Sequence, residues 1–529
     1  MKKQILKNLF SNYASRGVGL LLSVFLVPFL IYKLGKDAFG LIVMAESLIH
    51  LVEMTCASMR TAIARHATFS LSKGNKEAFL EYISTGRYLS FGLSMAVLFL
   101  GLLISFNLTR VLHIPEVYAV GTQHLFSLIV ITLSISIPNN VFWATLYANQ
   151  RFDLINFSSS TTAILRAIFI FITFSFLPPR YVSLTTYGFI YLAVTWADNF
   201  IVYRLCRKIM PEAVIRLKYF KKDKIKTLLG FGSYTLMNYL SVAIYENVSN
   251  ILINIFWGTA YNAIYGIGMK FPILMRRLFV EPTWTLAPAF THLLAKKEKE
   301  KLQSLFFAYC KIMAILSLPF SLILILAAKP IINLWVGPDF MLAAQITPIL
   351  VIPLLIIVPG AACICVISAH GKVKIPGIMG VCSMFLKIAV GFILAKVFSM
   401  GLVGWVLGST LVALVFAVVY NSNYACQLAH ISRTRFWKEI YLKPILWAFC
   451  VALIGVFAIS KMSHLNDVRH AVTSLAVVGG GLILVYGVGV YFFVINHEER
   501  QHLRQLLELI GNALTMKSKQ PPAEEEGMA

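Results

Sequence analysis

Charge is scarce in this chain, and acid is scarcest. Of 529 residues only 13% are Asp, Glu, Lys or Arg, about half the share of a soluble globular protein. Such a composition excludes a soluble enzyme and a disordered chain. Cysteine is sparse too: none of the eight, at 56, 206, 310, 363, 365, 382, 426 and 450, falls in an expected outer loop. No disulfide framework is therefore expected, and Cys363 with Cys365 is only a lone C-x-C inside an apolar run, not a zinc pattern. Catalytic motifs are missing: there is no G-x-x-x-x-G-K-[ST] loop, no H-E-x-x-H and no acidic pair in an outer loop. Neither an enzymatic reaction nor ATP hydrolysis is expected, and no organic cofactor or metal. Any transport would run on an ion gradient, with H+ or Na+ as the coupling ion, on the membrane potential or on substrate supply.

What is present is apolar surface. Hydrophobic residues make up 58% of the chain, in repeated stretches of about 18 to 25 residues, enough to cross a bilayer's hydrocarbon core. Hydropathy gives fourteen candidate spans, roughly 11–32, 38–59, 84–106, 119–148, 155–177, 185–205, 230–256, 260–290, 303–328, 341–369, 376–398, 402–424, 443–460 and 470–495. Backbone groups left unpaired in lipid are untenable, so the spans predict an all-α polytopic membrane protein. The opening MKKQILKNLF resembles a signal n-region, but Pro28 interrupts the apolar run and no cleavage site follows, so a retained first helix is expected. The net charge of +24 reads as basic inner loops rather than nucleic-acid binding. With the N-terminus inside, outer hairpins hold eight Lys and Arg, whereas Arg204 to Lys226 alone holds nine. Both termini are then cytoplasmic. The outer loops are short, leaving no room for an external domain.

An internal repeat organises the chain. LSKGNKE (71–77) aligns with LAKKEKE (294–300) at an offset of 223. At the same offset Gly35 meets Gly258 and Pro115–Glu116 meets Pro338–Asp339; at 221, Ala148–Arg151 meets Ala369–Lys372. Six spans separate equivalent points, an even number, so the halves are parallel repeats about an axis along the membrane normal, with a substrate site between them. The expected organisation is a first lobe over 1–205, a basic linker over 206–228 and a second lobe over 229–425. Two extra helices over 426–495 and a surface helix with a disordered acidic end over 496–529 follow.

Ionisable groups inside spans mark functional positions by default. In the second span Glu46, His50, Glu53 and Arg60 share one helical stripe; in the eighth, Lys270, Arg277, Glu281 and Trp284 share another, beside Arg276. The repeat makes these spans equivalent, and two facing polar stripes predict the wall of a central, water-filled cavity. The first and seventh spans, also equivalent, carry Asn12 and Arg16, then Asn238, Tyr239, Glu246, Asn250 and Asn254. Arg166 and Lys387 lie deep in other spans, and Pro272, Pro282 and Pro288 interrupt the eighth.

The opening PFLIYKLGKDAFG (28–40), with Asn and Arg near the start of its helix, resembles that of oligosaccharide flippases. So do LYANQRF (146–152) and KPIINLWVGPDF (329–340). The resemblance is to the Wzx branch of the multidrug/oligosaccharidyl-lipid/polysaccharide exporter superfamily. It implies two six-helix lobes in a V and an antiporter-like alternating-access cycle. The implied cargo is a polyprenyl-diphosphate-linked oligosaccharide, such as an O-antigen or exopolysaccharide unit, crossing the bacterial inner membrane, and the implied partners include the polysaccharide polymerase and chain-length machinery. It also implies that spans one, two, seven and eight line the cavity. Arg16, Arg166, Lys270, Arg276 and Arg277 could then hold the diphosphate, and Asn238, Tyr239, Asn250 and Trp284 the glycan. Glu46, His50, Glu53, Glu246 and Glu281 are the candidates for ion coupling. A lipid II flippase or a multidrug extruder would share this fold; a membrane glycosyltransferase would need a catalytic loop that is missing.

Overall fold

A computed structural model describes residues 2–178, 181–286, 290–291, 293–294, 296–372, 374–460 and 468–494; at 2–10, 237–246 and 284, among others, it gives the backbone alone. The surface helix and acidic end expected over 496–529 lie outside the described residues. Those described are helical, with no strand among them. The first lobe comprises α1 (Lys2–Leu34), α2 (Lys36–Ser72), α3 (Lys76–Phe106), α4 (Glu116–Ala148), α5 (Phe152–Phe176) and α6 (Leu184–Ile209). The second comprises α7 (Lys222–Trp257), α8 (Thr259–Met275), α9 (Lys299–Leu326), α10 (Met341–Val351), α11 (Lys374–Phe392) and α12 (Gly401–Val415). After Val351, with Pro353 and Pro359 interrupting, α10 continues only as the short pieces Leu354–Ile357 and Ala361–Ala369. Two more helices, α13 (Lys443–Ser460) and α14 (Val468–Gly489), pack on α9.

Eleven helices among the described residues are long and apolar enough to cross a membrane, against the fourteen expected. The three that fall short are α6, α7 and α8. Asp198, Asn199 and Arg204 dilute α6, a row of Asn and Tyr dilutes α7, and α8 stops after 17 residues. The basic stretch expected as a linker over 206–228 is helical at both ends, leaving 210–221 as the connection.

The repeat is written into the backbone. Gly35 (φ 86, ψ 168) and Gly258 (φ 85, ψ −175) make the same turn between the first two helices of each half. Gly74 and Lys297, equivalent at 223, both have positive φ (69 and 57), as do Gln150 and Gly371 (57 and 67). Left-handed backbone is uncommon at Lys and Gln, so these turns are imposed by the fold rather than chosen by the residue.

The halves meet along α2, which packs against both α7 and α8. A Cβ on Gly40 would fall on the Thr259 carbonyl and lie 3.1 Å from the Ala263 nitrogen; one on Gly266 would lie 2.7 Å from a Val43 methyl. Gly40 with Ala263 and Val43 with Gly266 are each separated by 223, the repeat offset. A two-fold axis requires this of residues lying on it, since each meets its own equivalent.

One hydrophobic core runs through both halves at this end, from Val27, Phe39 and Met44 to Ile253, Ile267, Phe340 and Trp405. Polar ties reinforce it: Thr259 donates to Asp37 at 2.8 Å, Lys36 to the Asp339 carbonyl at 2.9 Å, the His113 N–H to Asn254 at 3.0 Å and Trp335 to the Val24 carbonyl at 2.8 Å. At the other end each lobe has its own core, around Ile63, Phe79 and Ala144 in the first and Phe306, Cys310 and Phe436 in the second. The cores are therefore shared where α1 turns into α2 and separate where the chain begins, except that the foot of α7 at Leu228 belongs to the first lobe's core. This is a V.

Candidate functional site: the seam between the lobes

Polar groups appear along the seam where the tight packing ends. One turn beyond Val43 and Gly266, Glu46 and Lys270 pair across the lobes at 3.7 Å, both partly exposed. Another turn on, α2 presents His50 and Glu53, 3.8 Å apart and each about half exposed. Glu46 and Lys270 are 224 apart, as are Glu53 and Arg277. Arg277 is exposed, and its guanidinium has no ion-pair partner among the described residues.

Helix α8 leaves its straight course here. Pro272 deprives the Gly268 carbonyl of its helical donor, and the chain then winds into a π turn, Arg276–Val280, and a 3-10 stretch, Glu281–Leu286, with Pro282 second. The described residues hold four further π segments, so it is the position of this one, at the seam, that matters here. The change of pitch carries Glu281 to 2.9 Å from Arg16 on α1. Arg16 also donates to the Arg277 carbonyl, and its Nε donates to Asn12 at 2.9 Å. Arg276 is partly buried and has a partner of its own. Among the described residues, two ion pairs therefore join α1 and α2 to α8 and its continuation, each lobe supplying one cation and one carboxylate.

Tyr187 on α6 is buried, and Arg166 on α5 sits 4.3 Å over the ring of Tyr191, one turn along. Tyr191, the partner of Arg166, is a position that the sequence reading did not single out; its i, i+4 spacing from Tyr187 on the helix next to Arg166 was the available signal. Asn250 is buried, donating to Ser47 at 2.6 Å and accepting from Asn262 through its carbonyl, also at 2.6 Å. It ties α7 to α2 at the level of the Glu46–Lys270 pair. Arg60 stacks over Trp143 at 4.7 Å, and Asp198 accepts from Ser158 and Thr162 within the first lobe. Lys387 is buried with a partner. The side chains of Asn238, Tyr239, Glu246 and Trp284 lie outside the described residues.

The structure thus brings together Arg16, Glu46, Lys270, Arg277 and Glu281 along one seam, with His50, Glu53 and Arg276 beside them. Arg166 packs over Tyr191 of α6. Among the described residues no group of three or more His, Cys, Asp or Glu is arranged to hold a metal ion. What the seam can do is bind an anion with fixed cations, or exchange its internal pairs as the lobes move.

Comparison with known proteins fits this geometry. The model of a family described as "Polysaccharide biosynthesis protein" matches residues 34–345, more than half of the chain. A membrane protein of Bacillus subtilis (strain 168), EpsK, described as uncharacterized, is 21% identical over 510 residues, covering 93% of this chain and 96% of that protein. Among solved structures, an inward-facing multidrug resistance MATE family transporter of the MOP superfamily superposes with a TM-score of 0.68 at 13% identity, covering 81% of this chain and 99% of its own. An outward-facing one gives 0.62 at 15% identity, covering 81% and 96%.

Proposed function

The chain belongs to the polysaccharide biosynthesis protein family, and on that premise we propose that it flips a polyprenyl-diphosphate-linked oligosaccharide across the bacterial inner membrane by alternating access. The observation that carries this reading is the seam. Its two lobes are fused by a core at one end and open at the other, and Arg16, Lys270, Arg276 and Arg277 line the parting. Fixed cations in a low-dielectric cleft suit a diphosphate. A site that sets Arg16, Lys270, Arg276 and Arg277 among its carboxylates favours an anionic cargo over the cationic substrates of a drug extruder, whose cavity would be acidic. Asn238, Tyr239, Asn250 and Trp284 are the groups proposed to meet the glycan, and Arg166 to support the diphosphate end.

With the chain's start on the cytoplasmic side, the open end faces the cytoplasm, where the cargo is loaded. A proton taken up by Glu46 would break its pair with Lys270 and free that ammonium for the diphosphate, which links coupling to loading. Glu246 is the second proposed proton carrier. Replacing each by Gln is expected to abolish the pH dependence of flipping in vesicles; an unchanged pH profile sinks the assignment.

The decisive experiment is complementation of bacteria deleted for an O-antigen flippase, with surface polysaccharide as the readout. Restored polysaccharide, lost again in Arg277→Ala at equal membrane abundance, supports the reading. No restoration with a range of glycan substrates turns the question to lipid II and drug-export assays.

A further inference from the structure

The foot of α7 is two-sided. Lys221, Lys224 and Leu228, one face of the first two turns, are taken up by the first lobe. Glu81 on α3 receives Lys221 at 4.0 Å and Lys224 at 3.7 Å, the Lys221 N–H donates to Thr85 at 3.0 Å, and Leu228 is fully buried in that lobe's core. About a third of a turn round the helix, the neighbouring face holds Lys222, Ile225, Lys226 and Leu229. Lys222 and Lys226 are exposed and without an ion-pair partner among the described residues, and Leu229 is 47% exposed. With Phe220, itself edge-on to Tyr88 of α3, and Gly230, these residues bound an open hollow of about 710 Å³. The wall is apolar except for two ammonium groups one turn apart. Both described carboxylates at this helix foot are engaged on the docked side, Glu81 with Lys221 and Lys224 and Asp223 with Lys224 at 3.4 Å.

Fold and chemistry together narrow the occupant. The hollow lies at the open end of the V, beside the helix that runs on to Asn250 in the seam. An apolar wall with two unneutralised cations at that level suits a lipid whose headgroup carries more than one negative charge, because a polybasic interfacial segment attracts lipid phosphate. We propose that this hollow is a docking site for the diphosphate headgroup and first isoprenoid units of the cargo lipid, occupied before the cargo passes between the lobes. The inference rests on the flippase reading and adds a second, outer cation site to the one in the seam. Lys222 and Lys226 grip the diphosphate; Phe220, Ile225 and Leu229 hold the chain.

The test uses the full-length protein in nanodiscs of phosphatidylcholine and radiolabelled undecaprenyl diphosphate as the probe. Lys222→Glu/Lys226→Glu is expected to weaken binding about tenfold or more and to raise the cargo concentration for half-maximal flipping without changing the maximal rate. The milder Lys222→Gln/Lys226→Gln should show an intermediate loss, and an unchanged melting temperature separates this from misfolding. Equal binding by wild type and both variants overturns the site while leaving the flippase reading intact, provided Arg277→Ala still abolishes export. Displacement of the probe by phosphatidylglycerol at equal mole fraction also overturns it, by assigning the hollow to bulk anionic lipid. If the wild type neither binds the probe nor complements, the flippase reading itself falls.

Discussion

Glu46 and Lys270 show how little a single residue needs to contribute to stability in order to matter. Both are partly exposed, at 41% and 31%, and ion pairs of that kind are worth about 1 kcal/mol at most. Their value is positional, because the pair marks where packed seam becomes open cleft. Charge reversal at Glu46→Lys sets two ammonium groups against each other beside the axis, and export should drop severely. Adding Lys270→Glu, which restores the pair with its charges exchanged, is expected to recover a substantial part, measured in the same complementation assay. If the double variant is no better than either single one, the two carry independent roles rather than a shared one. Much of the candidate site was legible at this scale, since Arg16, Glu46, Lys270 and Arg277 are charges where charge is disfavoured. Asn250 was legible as polar but not as the strut to Ser47, since its surroundings depend on which helix packs against α7. Tyr187 and Tyr191 offered only their i, i+4 spacing, a faint signal because tyrosine is unremarkable near a membrane interface.

At the scale of elements, the seam is set by small residues. Gly40 lets α2 touch the backbone of α8 at Thr259, and a backbone carbonyl cannot swing aside as a side chain can. Gly40→Ala should therefore destabilise the protein by about 1–3 kcal/mol, the usual range for overpacking, and lower its melting temperature in detergent. It should also bias the lobes toward parting at that end, seen as greater reactivity of a cysteine introduced nearby. An unchanged melting temperature would mean that α2 and α8 do not touch there. Helix layout was readable from hydropathy, and Pro272 and Pro282 announced a break in α8. The kind of break was not readable: proline removes a donor, but whether the chain answers with a kink or a π turn depends on what Arg16 and α1 offer across the gap.

For the whole molecule, transport by alternating access requires the shared core to come apart. Val43 and Gly266 give a way to forbid it, because the Val43 Cβ lies 3.3 Å from the Cβ position at 266, close to the ~3.8 Å mean of a disulfide. Val43→Cys/Gly266→Cys, in a background with the exposed Cys382 and Cys450 replaced, should cross-link under oxidation and halt export. Reductant should then restore it. Continued export with the cross-link formed would show that this end never opens. The pair beside the axis also carries a trace of ancestry. By the repeat offset of 223, Glu46 corresponds to Met269 and Lys270 to Ser47. Two identical halves associating as separate chains would make every off-axis contact twice, once on each side of the axis. The present molecule makes this ion pair once, so divergence after duplication has left a charged latch on one side of a seam that its forerunner would have had to latch on both or on neither.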